Sequence, residues 1–217
     1  MQIYKLEVGM YQANCYVVLD EETHSALVID PGDEPAKIDT WLNQLQAKPK
    51  AIFLTHGHFD HIGAAAPLAE HWQVPIYMSL DELVYMDDRS HPLMAMTSEV
   101  LDVFLAAAPQ YVQGLSHGDI FQLAQEDWQV LEVPGHSDHS LCLYGKSSGK
   151  LFSGDTLFAG SVGRTDLYNG SSNVLVNEIK LKLMSLPEDT VVYPGHGPIT
   201  TIGQEGRQNP FIIGFGG

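Results

Sequence analysis

The residues best suited to chemistry crowd into Thr55-His56-Gly57-His58-Phe59-Asp60-His61. Imidazole and carboxylate are ligands of borderline divalent metals, zinc above all. A chain that leaves its strand still extended turns His56 and His58 to the same side, so these two can share one ion. Asp60 and His61 follow as the chain turns toward a helix over Ile62 to Trp72, and they would face a second ion. The spacing suggests a loop straddling a two-metal site. A lone histidine at a strand end is ordinarily a surface residue, and His-rich tracts can be tags. This run is internal, opens on the apolar strand Ala51 to Leu54 and closes into a helix, which argues for a true metal site.

The same arrangement of apolar strand followed by donor recurs along the chain. Val130 to Val133 leads through Pro134-Gly135 to His136, Leu151-Phe152 leads through Gly154 to Asp155, and Val191 to Tyr193 leads through Pro194-Gly195 to His196. Glycine before a donor lets the backbone approach closely. If these strand ends lie together, seven donors converge: His56, His58, Asp60, His61, His136, Asp155 and His196. Asp30 sits at the end of the strand Ser25 to Ile29, in the sharp turn of Asp30-Pro31-Gly32. It is either a turn-starting residue or a carboxylate that orients the histidine loop by hydrogen bonds.

The elements that must position these residues alternate in type. Ile3 to Val8, Asn14 to Leu19 and Ser25 to Ile29 read as strands, and Pro35 to Gln46 has the spacing of an amphipathic helix. Ala51 to Leu54 lacks alternation, as expected of a strand covered on both faces. With the helix after the metal loop and a strand over Val74 to Met78, a layered α/β arrangement follows. Between Leu80 and Gln113, Asp81 to Met86 and Ser98 to Ala107 read as helices, with a Met-rich loop over Pro92 to Met96. That segment is either a lid over the site or surface helical filler. Strands return at Ile120 to Leu123, Trp128 to Val133, Ser140 to Tyr144 and Leu151 to Ser153. Asn173 to Leu186 is an amphipathic helix, Thr190 to Tyr193 a last strand, and the Gly-rich tail from Gly203 to Gly217 is expected to be irregular. No linker or low-complexity stretch interrupts the chain, so residues 1–217 are expected to form a single domain with two sheets inside and helices outside.

Composition narrows the function. A chain of 217 residues with 44% apolar residues can bury a sizeable core. A formal net charge of −16 with only 11 Lys and Arg disfavours a general nucleic-acid binder. No secretory signal opens the chain, and no apolar run approaches the ~18 residues of a membrane span. Cys15 and Cys142 lie in apolar strand contexts without CxxC spacing and read as buried thiols. Together these features favour the cytoplasm. His24, His71, His91 and His117 have no ligand spacing and are expected at the surface. His139 follows His136 by three residues and is either a neighbour that helps the site or a tolerated substitution.

His56-Gly57-His58-Phe59-Asp60-His61 matches the HxHxDH signature of the metallo-β-lactamase superfamily. Asp30-Pro31-Gly32, Pro134-Gly135-His136, Ser153-Gly154-Asp155 and Pro194-Gly195-His196-Gly197-Pro198 stand in that family's order. Gly163-Arg164-Thr165-Asp166 and Arg207-Gln208-Asn209-Pro210-Phe211 most resemble the short, single-domain glyoxalase II-like hydrolases. Ser137-Asp138-His139 departs from the Thr-Pro-Gly more often found there. The resemblance implies a four-layer αββα sandwich with two mixed sheets and two divalent metal ions, zinc first, with iron or manganese as alternatives. One ion would take His56, His58 and His136, the second Asp60, His61 and His196, with Asp155 bridging. It also implies hydrolysis of an acyl bond, most of all a thioester such as S-lactoylglutathione, by a hydroxide held between the ions. Asp60 and Asp155 would be the catalytic carboxylates. Arg164 either grips an anionic part of the substrate or pairs with Asp166. The partner would be a small-molecule acyl thioester, with no nucleic acid and no membrane, and the protein a monomer or homodimer.

Rival readings use the same fold. A persulfide dioxygenase-like oxidoreductase with one iron also carries a Gly-Arg-Thr-Asp segment. Lactones or β-lactams are alternative acyl substrates. Flavodiiron relatives typically carry Glu where His58 stands, and RNA-processing relatives carry large added domains.

Overall fold

In the computed structural model, the structure describes residues 1–87, 97–167 and 169–214. The chain divides into two compact units, one of residues 1–115 with 122–125, the other of residues 116–121 with 126–217.

The first unit is built on a six-stranded mixed sheet in the order β1-β2-β3-β4-β5-β6. β1 (Gln2–Val8), β2 (Ala13–Leu19) and β3 (Ser25–Ile29) run antiparallel in succession, and β4 (Lys48–Phe53), β5 (Ile76–Met78) and β6 (Val112–Gly114) continue parallel to β3. Burial follows position. Edge strand β1 mixes exposed and covered residues, whereas every residue of β2 is buried, as a central strand covered on both faces requires. The parallel crossovers are helical. α1 (Pro35–Gln44) starts with proline in its first turn and buries Ile38 and Leu42. Beyond β4 the single helix expected over Ile62 to Trp72 is instead two. α2 (Phe59–Ile62) is one turn long and contains Asp60 and His61, and α3 (Ala65–Trp72) follows after Gly63-Ala64. At the break the Ala64 amide bonds the Pro31 carbonyl at 2.9 Å instead of continuing the α2 ladder, and an added Cβ on Gly63 would stand 2.4 Å from the Gly32 carbonyl oxygen. α4 (Leu80–Asp87) and α5 (Ser98–Tyr111) match the two expected helices, and α5 runs a turn further than expected. The loop expected over Pro92 to Met96 lies outside the described residues, as does His91.

The second sheet has the order β14-β13-β10-β9-β8-β7. Its strands are β7 (Ile120–Leu123), β8 (Glu126–Glu132), β9 (Leu141–Gly145), β10 (Lys150–Gly154), β13 (Val191–Pro194) and β14 (Thr200–Thr201), with β10 and β13 its parallel pair. β11 (Leu157–Phe158) and β12 (Ser161–Val162) make a small separate hairpin. α6 (Ser172–Glu178) is capped by Ser171 and widens into a π-helical turn over Ile179–Leu183. Leu175, Ile179 and Leu183 keep one apolar face through that change and pack in a core with Val133, Leu151 and Val192. The described part of the tail, to residue 214, is not irregular. It forms α7 (Ile202–Gln208) and α8 (Pro210–Ile213), because Thr201 caps the Gln204 amide and Asn209 caps the Phe211 amide. Capping side chains outweigh the low helix propensity of Gly203 and Gly206.

Both cysteines are buried free thiols, as expected. Burial, with the Asp30 carboxylate adding to it, pushes the Cys15 thiol far above its ordinary range. Among the described residues no helix is long and apolar enough to cross a membrane.

Candidate metal centre

In the first unit the donors gather at the carboxyl ends of adjacent parallel strands. β3 ends in Asp30 and β4 ends in the histidine loop, and the Asp30 amide bonds the Phe53 carbonyl at 3.0 Å, holding the two exits side by side. Asp30 is buried and takes a left-handed backbone (φ 48°), which Asp tolerates better than most residues. The glycine two residues on is required by contact: a Cβ on Gly32 would stand 1.7 Å from the Asp60 carbonyl oxygen. Asp30-Pro31-Gly32 therefore clamps the start of α2, and with it Asp60 and His61.

Hydrogen bonds around Asp30 fix the imidazole tautomers. One carboxylate oxygen accepts the Thr55 amide at 2.8 Å, and the other accepts the Thr55 hydroxyl at 2.7 Å and His61 Nδ1–H at 3.1 Å. The Thr55 hydroxyl has one proton and gives it to Asp30, so toward His56 Nδ1, 3.0 Å away, its oxygen can only accept. His56 and His61 thus carry their protons on Nδ1, leaving each Nε2 as the metal-binding nitrogen. His56 Nε2 stands 3.0 Å from His58 Nδ1. Two nitrogens of a tetrahedral zinc with bonds of about 2.0–2.1 Å are separated by about 3.3 Å, so the spacing suits two ligands of one ion. The His61 Nε2 to Asp60 Oδ2 distance is 3.9 Å. His56, His58 and His61 are all buried, and with His58 protonated on Nε2 the two facing nitrogens of His56 and His58 would offer lone pairs that a cation stabilises in a dry place. The residues present fit a metal in the first unit.

In the second unit the donors come from separate strand ends. β10 and β13 run parallel, and the Gly195 amide bonds the Gly154 carbonyl at 2.8 Å, which sets Asp155 and His196 next to each other. Asp155 Oδ2 lies 3.6 Å from His196 Nε2 and 3.6 Å from His136 Nε2. These distances exceed a hydrogen bond and suit neighbouring ligand atoms. One carboxylate oxygen thus stands between two imidazole nitrogens. His136 Nδ1 donates to the Arg164 carbonyl at 2.8 Å, again leaving Nε2 for a metal. Gly163 permits this: a Cβ there would stand 1.8 Å from the Asp155 carbonyl oxygen and 3.1 Å from His136 Nδ1.

The Arg164 side chain forms a two-pronged ion pair with Asp166, at 2.7 and 2.8 Å, with both side chains more than 60% exposed. The guanidinium holds the Asp166 carboxyl down at about 2. His139 pairs with Glu132 at 3.1 Å. His71 and His117 are exposed as expected, whereas His24 is half-buried in a left-handed turn. Three contributors escaped the sequence reading: the Thr55 hydroxyl, the Arg164 carbonyl and Glu82, whose carboxylate accepts the Gly57 amide at 2.8 Å. Thr55 carried a signal, a hydroxyl directly before a metal-ligating histidine. The backbone carbonyl carried none.

Comparison with known proteins agrees with this chemistry. The model of the metallo-beta-lactamase superfamily matches residues 8–196, a span that holds all seven donors. The chain is 37% identical over 215 residues to the probable metallo-hydrolase YqgX of Bacillus subtilis, covering 99% of each. It is 34% identical over 212 residues to hydroxyacylglutathione hydrolase GloC of Haemophilus influenzae, covering 98% of each. Among solved structures it resembles the BLEG-1 B3 metallo-beta-lactamase (TM-score 0.85, 35% identity, 98% of this chain and 100% of that one). It also resembles TTHA1623 in a di-iron-bound form (TM-score 0.80, 38% identity, 96% and 99%). The fold is the metallo-β-lactamase fold expected from the sequence, with two mixed sheets and helices, and the chain belongs to the metallo-beta-lactamase superfamily of metal-binding hydrolases.

Proposed function

We propose that the protein is a metal-dependent thioesterase that hydrolyses a small acyl thioester such as S-lactoylglutathione. The observation that carries the metal chemistry is the Asp30-Thr55-His56 relay, which presents His56 Nε2 toward His58 Nδ1 at 3.0 Å. The likeness to GloC along nearly the whole chain supports the thioester. In this reading the seven donors would form one set for two divalent ions, which His56, His58 and His136, Asp60, His61 and His196, and the shared Asp155 would hold. Both units then serve a single hydrolase domain. Zinc is the first choice of metal, and the di-iron form of TTHA1623 supports iron as the alternative. When bound, such a pair supplies Lewis-acid polarisation and lowers the pKa of water.

The chain's own residues supply the rest. Asp60, partly accessible at the start of α2, accepts a hydrogen bond from the attacking water and aims it at the acyl carbon. Asp155 holds one carboxylate oxygen between two imidazoles. Asp30 and Thr55 keep the histidine protons on Nδ1. Arg164 binds an anionic part of the substrate by exchanging Asp166 for it. An exposed ion pair is worth only about 0–1 kcal/mol, so the exchange costs little. The substrate is a freely diffusing cytoplasmic metabolite, and the enzyme works as a monomer or homodimer without nucleic acid or membrane.

A second reading, β-lactam hydrolysis, draws on the likeness to BLEG-1. Initial rates on S-lactoylglutathione, a lactone and a β-lactam with one metal-loaded preparation test the choice. The thioester is expected to turn over fastest. A β-lactam preferred over every thioester would overturn the assignment, and oxygen uptake with glutathione persulfide by a mononuclear iron form would replace it with the oxidoreductase.

A further inference from the structure

α4 follows β5, the next parallel strand beyond β4, and so leaves the same end of the sheet as Asp30 and the histidine loop. Its residues Glu82, Tyr85 and Met86 are buried, at the i, i+3 and i+4 positions of one helix face. That face meets the middle of the metal loop. Glu82 Oε2 accepts the Gly57 amide at 2.8 Å, and the Tyr85 ring lies 6.4 Å from the His58 ring between centroids. The gap is closed tightly: a Cβ on Gly57 would stand 2.7 Å from Met86 and 2.9 Å from Glu82 Oε2. Glu82 is 1% exposed, although a carboxylate is rarely buried without a task.

We propose that Glu82 is a positioning residue of the metal centre, acting through the Gly57 amide to hold His56 and His58 at the spacing that two ligands of one ion require. The inference rests on the metal-site reading above. Gly57 is the only residue between the two histidines, so its peptide orientation sets both imidazole positions. Asp30 and Thr55 fix the rotation and tautomer of His56 from one side, and Glu82 fixes the backbone between the ligands from the other. The helix at 80–87 is therefore part of the site's scaffold rather than surface filler.

The test is zinc affinity, measured by chelator competition on metal-free wild type, Glu82→Asp and Glu82→Gln, with thermal melting of each metal-free protein alongside. Asp keeps the charge but withdraws the oxygen by one methylene. Gln keeps the reach and an acceptor oxygen but loses the charge. Glu82→Asp is expected to weaken the tightest zinc step by about 10- to 100-fold, the usual effect of removing a group that orients metal ligands. Glu82→Gln is expected to stay close to wild type. A merely structural role would lower the melting temperature of Glu82→Asp while leaving zinc affinity unchanged, and that result overturns the proposal. So does a Glu82→Gln variant as weak as Glu82→Asp. Wild type that binds no zinc would instead remove the metal-site reading on which the proposal stands.

Discussion

In the first unit four donors come from one run, His56 to His61, and three side chains outside that run brace it: Thr55 beside it, and the distant Asp30 and Glu82. In the second, His136, Asp155 and His196 come from three strand ends, and the brace seen on His136 is a backbone carbonyl. His56, His58 and His61 are almost fully buried, as is His136 of the second unit, whereas the His196 side chain is 28% exposed. A short loop that carries several ligands has no ladder of its own to hold it, so buried side chains must set each ring. Where every ligand ends its own strand, the sheet sets the geometry and the bracing can be sparse. The braced loop should therefore fail through side-chain substitutions that leave the fold intact. The strand-end set should fail through backbone crowding.

The largest effect is expected at the donors themselves. Asp155→Ala removes the oxygen that stands 3.6 Å from two histidines, and Asp60→Ala removes the group proposed to aim the water. Turnover should fall to background in both. Unchanged turnover by either variant, folded and metal-loaded, would sink the mechanism. Next comes Asp30→Asn, whose amide cannot accept from the Thr55 amide, the Thr55 hydroxyl and His61 together. Its zinc affinity should fall by about 10- to 100-fold. Thr55→Val should lose less, because the His61 branch survives, and equal losses would break the relay. Gly163→Ala tests the crowding side of the comparison. A methyl at 1.8 Å from the Asp155 carbonyl forces the backbone apart and should destabilise the fold by about 1–3 kcal/mol in a denaturant titration. Arg164→Ala should be mildest, because His136 leans on the Arg164 backbone and not on its side chain. Stability should change by less than about 1 kcal/mol, with KM raised and kcat held. A fall in kcat alone would mean that Arg164 acts on the reacting atoms.

Much of this was legible in the sequence, for reasons that can be named. The strands β2 and β3 showed because they are apolar runs of the right length, β4 showed only in its apolar second half because Lys48-Pro49-Lys50 masks its start, and the donors showed because each follows such an apolar stretch directly. The clamp at Asp30 showed through Pro31 and Gly32. What stayed hidden depends on through-space contact. At the split the Ala64 amide turns to the distant Pro31 carbonyl, which the helical pattern of Ile62 to Trp72 conceals. The helices of the tail depend on two capping side chains, Thr201 and Asn209, whose short-range signal was outweighed by the neighbouring glycines. Glu82 looked like any acidic residue in the first turn of a helix. Only its burial against Gly57 distinguishes it. The Arg164 carbonyl is invisible in principle, because a backbone group has no residue code.

The central claim is a two-metal thioesterase, and the most direct test combines two readings on one sample. Metal-free protein is reconstituted with zinc, its metal content is determined, and loss of the S-lactoylglutathione thioester absorbance is followed. Efficient turnover with about two zinc ions per chain, the number a bridged centre needs, is the expected result. Two ions without turnover of this or any other acyl thioester would contradict the thioesterase, and a single zinc ion per chain would contradict the two-metal centre itself.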